Sequence, residues 1–273
     1  MRSLLLGAIG LVSSIQTNAQ FSTASSQVQI IDTAFPIKSL GRERRIWIYL
    51  PADYTSSRQR YPVLYMQDGQ NLFDAVTSFA GEWGVDEELD RSRLPLIVVG
   101  IDNGGVHRMN EYNPMDHERF GKGEGRAYLE FLVKELKPYI DQHYRTKKQA
   151  KYTGIAGASM GGLIAYYAGL WYPQEFGKIG VFSPSFWISP GLEQLSVATL
   201  RKRRHARQQY YFYAGKKESP GMVSDMEKIM ATLEPILPPS SLVKRISPVG
   251  EHTEAAWRSE LPRYLSWNLE KKK

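Results

Sequence analysis

Residues 96–101 read Leu-Ile-Val-Val-Gly-Ile, an apolar run with no polar alternation. Such a run belongs to a strand covered on both faces, which requires helices on each side of a sheet. Other strand-length segments fall at 61–66, 152–156, 179–182, 210–213 and 242–246. Two earlier ones, 28–35 and 45–50, are predicted to be antiparallel; the second alternates Ile46, Ile48 and Leu50 with bulkier partners. Helical patterns lie between the strands, at 81–91, 126–144, 161–171, 220–233 and 253–269. The segment 126–144 places Leu129, Leu132, Val133, Leu136, Tyr139 and Ile140 on one face despite Pro138. Ser219-Pro220 reads as a helix start, a capping serine followed by proline at the first helical position. The alternation predicts an α/β fold: a mostly parallel central sheet, helices on both faces and early antiparallel strands. No internal repeat or linker divides residues 20–273, so a single domain is expected.

The first twenty residues carry the pattern of a secretory leader. Arg2 is followed by the short apolar run 4–12 and by Thr17-Asn18-Ala19, a small-residue cleavage site. The run is too short for a permanent membrane anchor. A mature chain starting at Gln20, secreted or periplasmic, is the expectation. The chain contains no cysteine, so neither a disulfide framework nor thiol-linked lipidation applies. Net charge is +7, and loss of residues 1–19 removes only Arg2. The run Arg201-Lys202-Arg203-Arg204-His205-Ala206-Arg207 concentrates positive charge. It lacks aromatic interleaving or a nucleic-acid motif, so it reads as a solvated connection and no nucleic-acid partner is expected. Lys271-Lys272-Lys273 reads as a frayed tail.

The chemistry is concentrated in Gly157-Ala158-Ser159-Met160-Gly161-Gly162, a G-x-S-x-G pattern lying between the strand 152–156 and the helix 161–171. That strand–turn–helix context is what a nucleophile elbow requires: flanking glycines allow a sharp turn that holds the serine in a strained conformation. The helix start directs its positive end toward a developing oxyanion. Ser159 is therefore the candidate nucleophile, against the blander role of a helix cap.

A serine nucleophile needs a base. Of five histidines, His143 ends a helix, His205 belongs to the basic run, and His107 and His117 lie in a polar loop. His252 follows the last strand and precedes the last helix, where the order serine, acid, histidine puts the base. No His-x-x-x-His spacing or cysteine suggests a metal site. The acid belongs after the second strand beyond the elbow strand. There the chain reads Ala214-Gly215-Lys216-Lys217-Glu218-Ser219, making Glu218 the first candidate and Asp225, inside the following helix, the second. The oxyanion hole needs two backbone N–H groups. Met160 supplies one, and Gln70 is the candidate for the other, after Gly69 in the loop following 61–66.

Together these segments resemble the esterase D and enterochelin-esterase-like family of α/β-hydrolases. The resemblance is carried by residues 63–74, 97–103, Arg108 with Glu111-Tyr112, 157–162, Ser183-Pro184-Ser185-Phe186-Trp187 and His252-Thr253-Glu254-Ala255-Ala256-Trp257. It spans roughly residues 27–270. It implies a fold of that class, a triad of Ser159, Glu218 and His252, and Gln70 as the second oxyanion donor. Some siderophore esterases of the family work with a serine–histidine dyad. Gln67 stands where many members have histidine before Asp-Gly, a departure that leaves the backbone chemistry intact and bears on the pocket.

The reading is a serine carboxylic-ester hydrolase working through an acyl-enzyme, with no cofactor or metal. The expected substrate is an acyl ester of a carbohydrate or a siderophore-type lactone. Trp83 and Trp187 are candidates to line the pocket. Arg108 is a candidate substrate contact, with an ion pair to Glu111 as the structural alternative. Two other functions use the same scaffold: an acyltransferase with the same triad, and a non-catalytic binding protein.

Overall fold

The computed structural model describes residues 21–202 and 208–270. The leader segment, most of the basic run and the C-terminal lysines lie outside the described residues. Among the described residues there are eight strands: β1 (Val28–Ile37), β2 (Arg42–Tyr49), β3 (Val63–Gln67), β4 (Ile97–Ile101), β5 (Thr153–Ala158), β6 (Lys178–Phe182), β7 (Gln209–Gly215) and β8 (Leu242–Ser247). They form one sheet in the order β1-β2-β4-β3-β5-β6-β7-β8. β1 and β2 pair antiparallel, as do β2 and β4; every later pairing is parallel. This is the doubly covered, mostly parallel sheet expected from the apolar runs.

The helices are α1 (Val85–Ser92), α2 (Arg108–Glu111), α3 (Gly125–Phe131), α4 (Lys137–His143), α5 (Met160–Trp171), α6 (Leu192–Arg201), α7 (Met222–Leu233) and α8 (Glu254–Leu269). The pleat sorts each strand between two cores. On β2, Ile46 and Ile48 join the core under α3, α5 and α7, whereas Trp47 and Tyr49 join the core under α1 and α8. Leu129, Leu163 and Met226 supply the first core; Leu89, Leu261 and Tyr264 supply the second. α5 lies against the sheet centre and buries eleven consecutive residues, which is why its sequence is apolar around nearly the whole circumference.

Four local expectations are corrected. The helix expected at 81–91 starts at Val85, because Gly84 adopts a left-handed conformation (φ 62°) beneath the Arg258 guanidinium. The segment 126–144 is interrupted by a π-helical turn at Leu132–Leu136, just before Pro138, whose missing N–H disfavours a regular α-helical ladder there. Ser219 does not cap α7. Gly221 occupies that position, and the Ser219 carbonyl accepts the Met222 N–H at 3.0 Å. α6 was not anticipated; it lies between two segments whose strand character dominated the pattern.

Candidate active site

Ser159 joins β5 to α5 with φ 59° and ψ −121°, outside the regions a side-chain-bearing residue favours. Such a conformation costs on the order of 1–3 kcal/mol and persists only where its surroundings enforce it. The Ser159 N–H donates to the Phe182 carbonyl at 3.0 Å, and its own carbonyl accepts from Leu163 and Ser185, each at 3.1 Å. A Cβ at Gly157 would come within 2.7 Å of the Gly161 backbone, and one at Gly162 within 2.8 Å of the Phe182 carbonyl oxygen. The glycines thus let β5, β6 and the start of α5 close around the serine. Ser159 Oγ lies 3.2 Å from Ser185 Oγ.

The loop after β3 makes a second tight turn. Asp68 has φ 56°, and its carboxylate accepts two bonds from Arg108, at 2.6 and 2.9 Å, and one from Asn103 Nδ2 at 2.7 Å. Gly69 leaves no room for a Cβ, which would stand 2.8 Å from the backbone of Gly100 and Ile101. Gln70 follows. Its side-chain oxygen accepts the Asn103 N–H at 3.1 Å and its carbonyl accepts the Thr77 hydroxyl at 2.7 Å. Among the described residues, neither the Gln70 N–H nor the Met160 N–H has a protein acceptor. These are the two donors assigned from the sequence.

Glu218 and His252 come together because β7 and the loop after β8 touch. A Cβ on Gly215 would meet the Gly250 carbonyl oxygen at 2.2 Å, and the Lys217 N–H donates to that carbonyl at 3.0 Å. Glu218 Oε2 then lies 2.7 Å from His252 Nδ1. The other oxygen, Oε1, accepts the Gly215 N–H at 2.6 Å and the Ser183 hydroxyl at 2.7 Å. The Glu218 carboxylate is fully buried and the imidazole is 38% exposed, so the carboxylate orients a ring whose far side remains accessible. Asp225 instead pairs with Lys228 at 2.9 Å along α7, away from the histidine.

Ser159 and His252 line one cavity of about 530 Å³, together with Gln70, Trp83 and Arg108. Trp83 is buried and stacks on Trp257 with ring centroids 5.5 Å apart. Arg108 is tied to Asp68, not to Glu111; burial works against its charge, and Asp68 more than offsets that. Glu111 is fully buried between Arg44, at 2.7 Å, and Arg42, at 3.0 Å, so the Arg108–Glu111 pair is not formed. Trp187 is not part of this cavity. It is 55% exposed, packs against Phe120 and borders a separate cavity of about 240 Å³. The sequence reading assigned no role to Ser183, which links Trp257 to Glu218, nor to Glu254, which opens on the cavity. The sequence signals for them are their places immediately after β6 and at the first turn of α8, within the segments 183–187 and 252–257 that carry the family resemblance.

A sheet of this topology, a strained serine at the β5–α5 turn and a buried carboxylate on a late-loop histidine define an α/β-hydrolase. The chain belongs to the esterase family described as "Putative esterase", whose model matches residues 37–267. It is 32% identical over 165 residues to the uncharacterized protein YbbA of Bacillus subtilis, an alignment covering 58% of this chain and 63% of that one. It is 31% identical over 154 residues to the iron(III) salmochelin esterase of Escherichia coli, covering 55% of this chain and 34% of that one. The chain thus spans less than two thirds of the length of these relatives. The fold is shared with the BES protein of Bacillus cereus, at a TM-score of 0.73 and 20% identity over 92% of this chain and 98% of that one.

Proposed function

We propose that this chain is an exported serine esterase that works through an acyl-enzyme. The observation that carries the reading is the convergence, on one cavity, of Ser159, the Glu218-oriented His252 and Gln70, with the N–H groups of Gln70 and of Met160, next to Ser159 in the chain, both without protein acceptors among the described residues. In the proposed reaction the Ser159 hydroxyl leaves Ser185 and gives its proton to His252 as Oγ attacks the ester carbonyl. The oxyanion is held by the Gln70 and Met160 N–H groups, reinforced by the N-terminal end of α5. Collapse of the tetrahedral intermediate breaks the ester C–O bond, and the proton on His252 passes to the departing alcohol. Water, deprotonated by His252, then attacks the acyl-enzyme and releases the acid. Glu218 fixes the imidazole tautomer and stabilises its charged form without reacting.

The substrate class proposed is an acyl ester of a carbohydrate or a siderophore-type lactone. The salmochelin esterase relative and a cavity that mixes amide and charged side chains with Trp83 and Trp257 both support it. The test is fluorophosphonate labelling followed by peptide mapping, which needs no knowledge of the substrate. Labelling confined to Ser159 and abolished in His252→Ala is expected. A folded protein left unlabelled at pH 8, or a His252→Ala variant labelled as fast as the wild type, overturns the reading. Turnover of acetylated xylan, methyl ferulate, p-nitrophenyl esters and a tricatecholate siderophore then ranks the substrates.

A further inference from the structure

Glu254 occupies the first turn of α8, two residues beyond His252, and its side chain faces the same cavity as Ser159. It is 9% exposed. Among the described residues its side-chain hydrogen-bond partner is Asn71, whose Nδ2 donates to Oε1 at 3.2 Å, and its own backbone N–H partly offsets the cost of burial. Among the described residues no lysine or arginine lies within ion-pairing distance of it. The cavity's one arginine, Arg108, is already neutralised by its two-pronged bond to Asp68. The cavity therefore holds two carboxylates against one guanidinium, with the excess negative charge on Glu254. Burial pushes this carboxyl above the usual carboxylate range, and Asp68 adds to the shift. A half-satisfied carboxylate facing a binding cavity favours a ligand that donates a hydrogen bond to it and disfavours one that brings a second negative charge.

We propose that Glu254 is a specificity-determining residue. It selects esters carrying a hydroxyl or ammonium donor near the scissile bond and rejects esters carrying a carboxylate there. This inference rests on the esterase reading. A purely structural role is the competing account: Glu254 holds Asn71, which in turn accepts the Phe79 N–H at 3.0 Å and the Trp83 N–H at 2.8 Å and so fixes the loop bordering the cavity. Glu254→Gln separates the two. The amide oxygen still accepts from Asn71, and only the charge is lost.

The experiment uses p-nitrophenyl phenylacetates bearing a para methyl, hydroxymethyl, aminomethyl or carboxyl group, with kcat and KM measured for the wild type and Glu254→Gln. The wild type should favour the hydroxymethyl and aminomethyl esters over the methyl ester and disfavour the carboxyl ester. Glu254→Gln should raise kcat/KM for the carboxyl ester relative to the methyl ester about tenfold, chiefly through KM, the size expected when a close like-charge contact is removed. It should lower the aminomethyl preference more than the hydroxymethyl one, because a hydroxyl can accept from the amide N–H that replaces Oε2 and an ammonium cannot. Turnover of the methyl ester with unchanged charge discrimination in Glu254→Gln overturns this inference and leaves the esterase reading standing. Failure of the wild type to turn over any of the four, with Ser159 unlabelled by fluorophosphonate, overturns both.

Discussion

The indole Nε1 of Trp257 donates a 2.9 Å hydrogen bond to Ser183 Oγ. That hydroxyl in turn donates to Glu218 Oε1, so a chain of contacts runs from α8 through the end of β6 to the acid behind His252. Ser183 is fully buried with φ 42°, a strained position held by its N–H donating to the Tyr213 carbonyl at 2.7 Å. Trp257 also meets the His252 ring edge-to-face at 5.1 Å.

Removing the Ser183 hydroxyl leaves a buried indole N–H without an acceptor and takes one of two protein donors from Glu218 Oε1. Ser183→Ala should lower stability by about 1–3 kcal/mol, the cost of an unmet buried polar group. It should also reduce kcat, since the carboxylate loses part of what fixes its orientation. Denaturant unfolding alongside ester turnover checks both effects; full stability and full kcat in Ser183→Ala would show that the hydroxyl is dispensable.

The triad should respond in graded fashion. Ser159→Ala and His252→Ala are each expected to cut kcat by about 10⁶-fold, as in hydrolases where the residues act as a unit. Glu218→Gln should cost less, roughly 10²–10⁴-fold, because the acid orients the histidine and does not react. Asp225→Asn should leave turnover unchanged, since its carboxylate is engaged by Lys228. Steady-state kinetics on one p-nitrophenyl ester decides the assignment: an inert Glu218→Gln beside a crippled Asp225→Asn would reverse it.

Away from the site, Asp86 on α1 is fully buried. The Ser25 N–H donates to Oδ2 at 2.7 Å, and Oδ1 has no partner. Burial, together with the neighbouring Glu87, holds this carboxyl well above the usual range. In the unfolded chain Asp86 loses its proton near about pH 4, whereas in the folded protein it keeps the proton to higher pH. Between those values the folded state binds more protons, so stability falls as pH rises through that window. Asp86→Asn removes the penalty while keeping an oxygen for Ser25. Its Tm should match the wild type near pH 4 and exceed it increasingly toward pH 8. A Tm difference independent of pH would contradict this account.

The proposed export has its own test. Mass spectrometry of the natively produced protein should find a chain beginning near Gln20. Recovery of a cytosolic chain that retains Met1 would contradict it.

Much of this protein follows from the sequence because its determinants are local. A strand buried on both faces must be apolar throughout, so residues 96–101 disclosed the covered sheet. A left-handed serine needs glycines at its sides, so residues 157–162 disclosed the elbow. Chain order alone pointed to His252 and Glu218. What the sequence did not reveal depends on which loops touch. Arg108 and Glu111 are three residues apart, yet each finds its partner elsewhere, in Asp68 and Arg44, because burial of Glu111 against β2 outweighs proximity along the chain. Trp83 and Trp187 are equal pocket candidates by sequence, but only Trp83 of the two lines the cavity, because it packs between Phe182 and Trp257 while the turn after β6 leaves Trp187 exposed. Ser183 and Glu254 take their roles from contacts across the ends of β6, β7 and α8. Those distances are set by the closing of Gly215 on Gly250 and of Gly69 on Gly100, backbone approaches that only the folded sheet brings about.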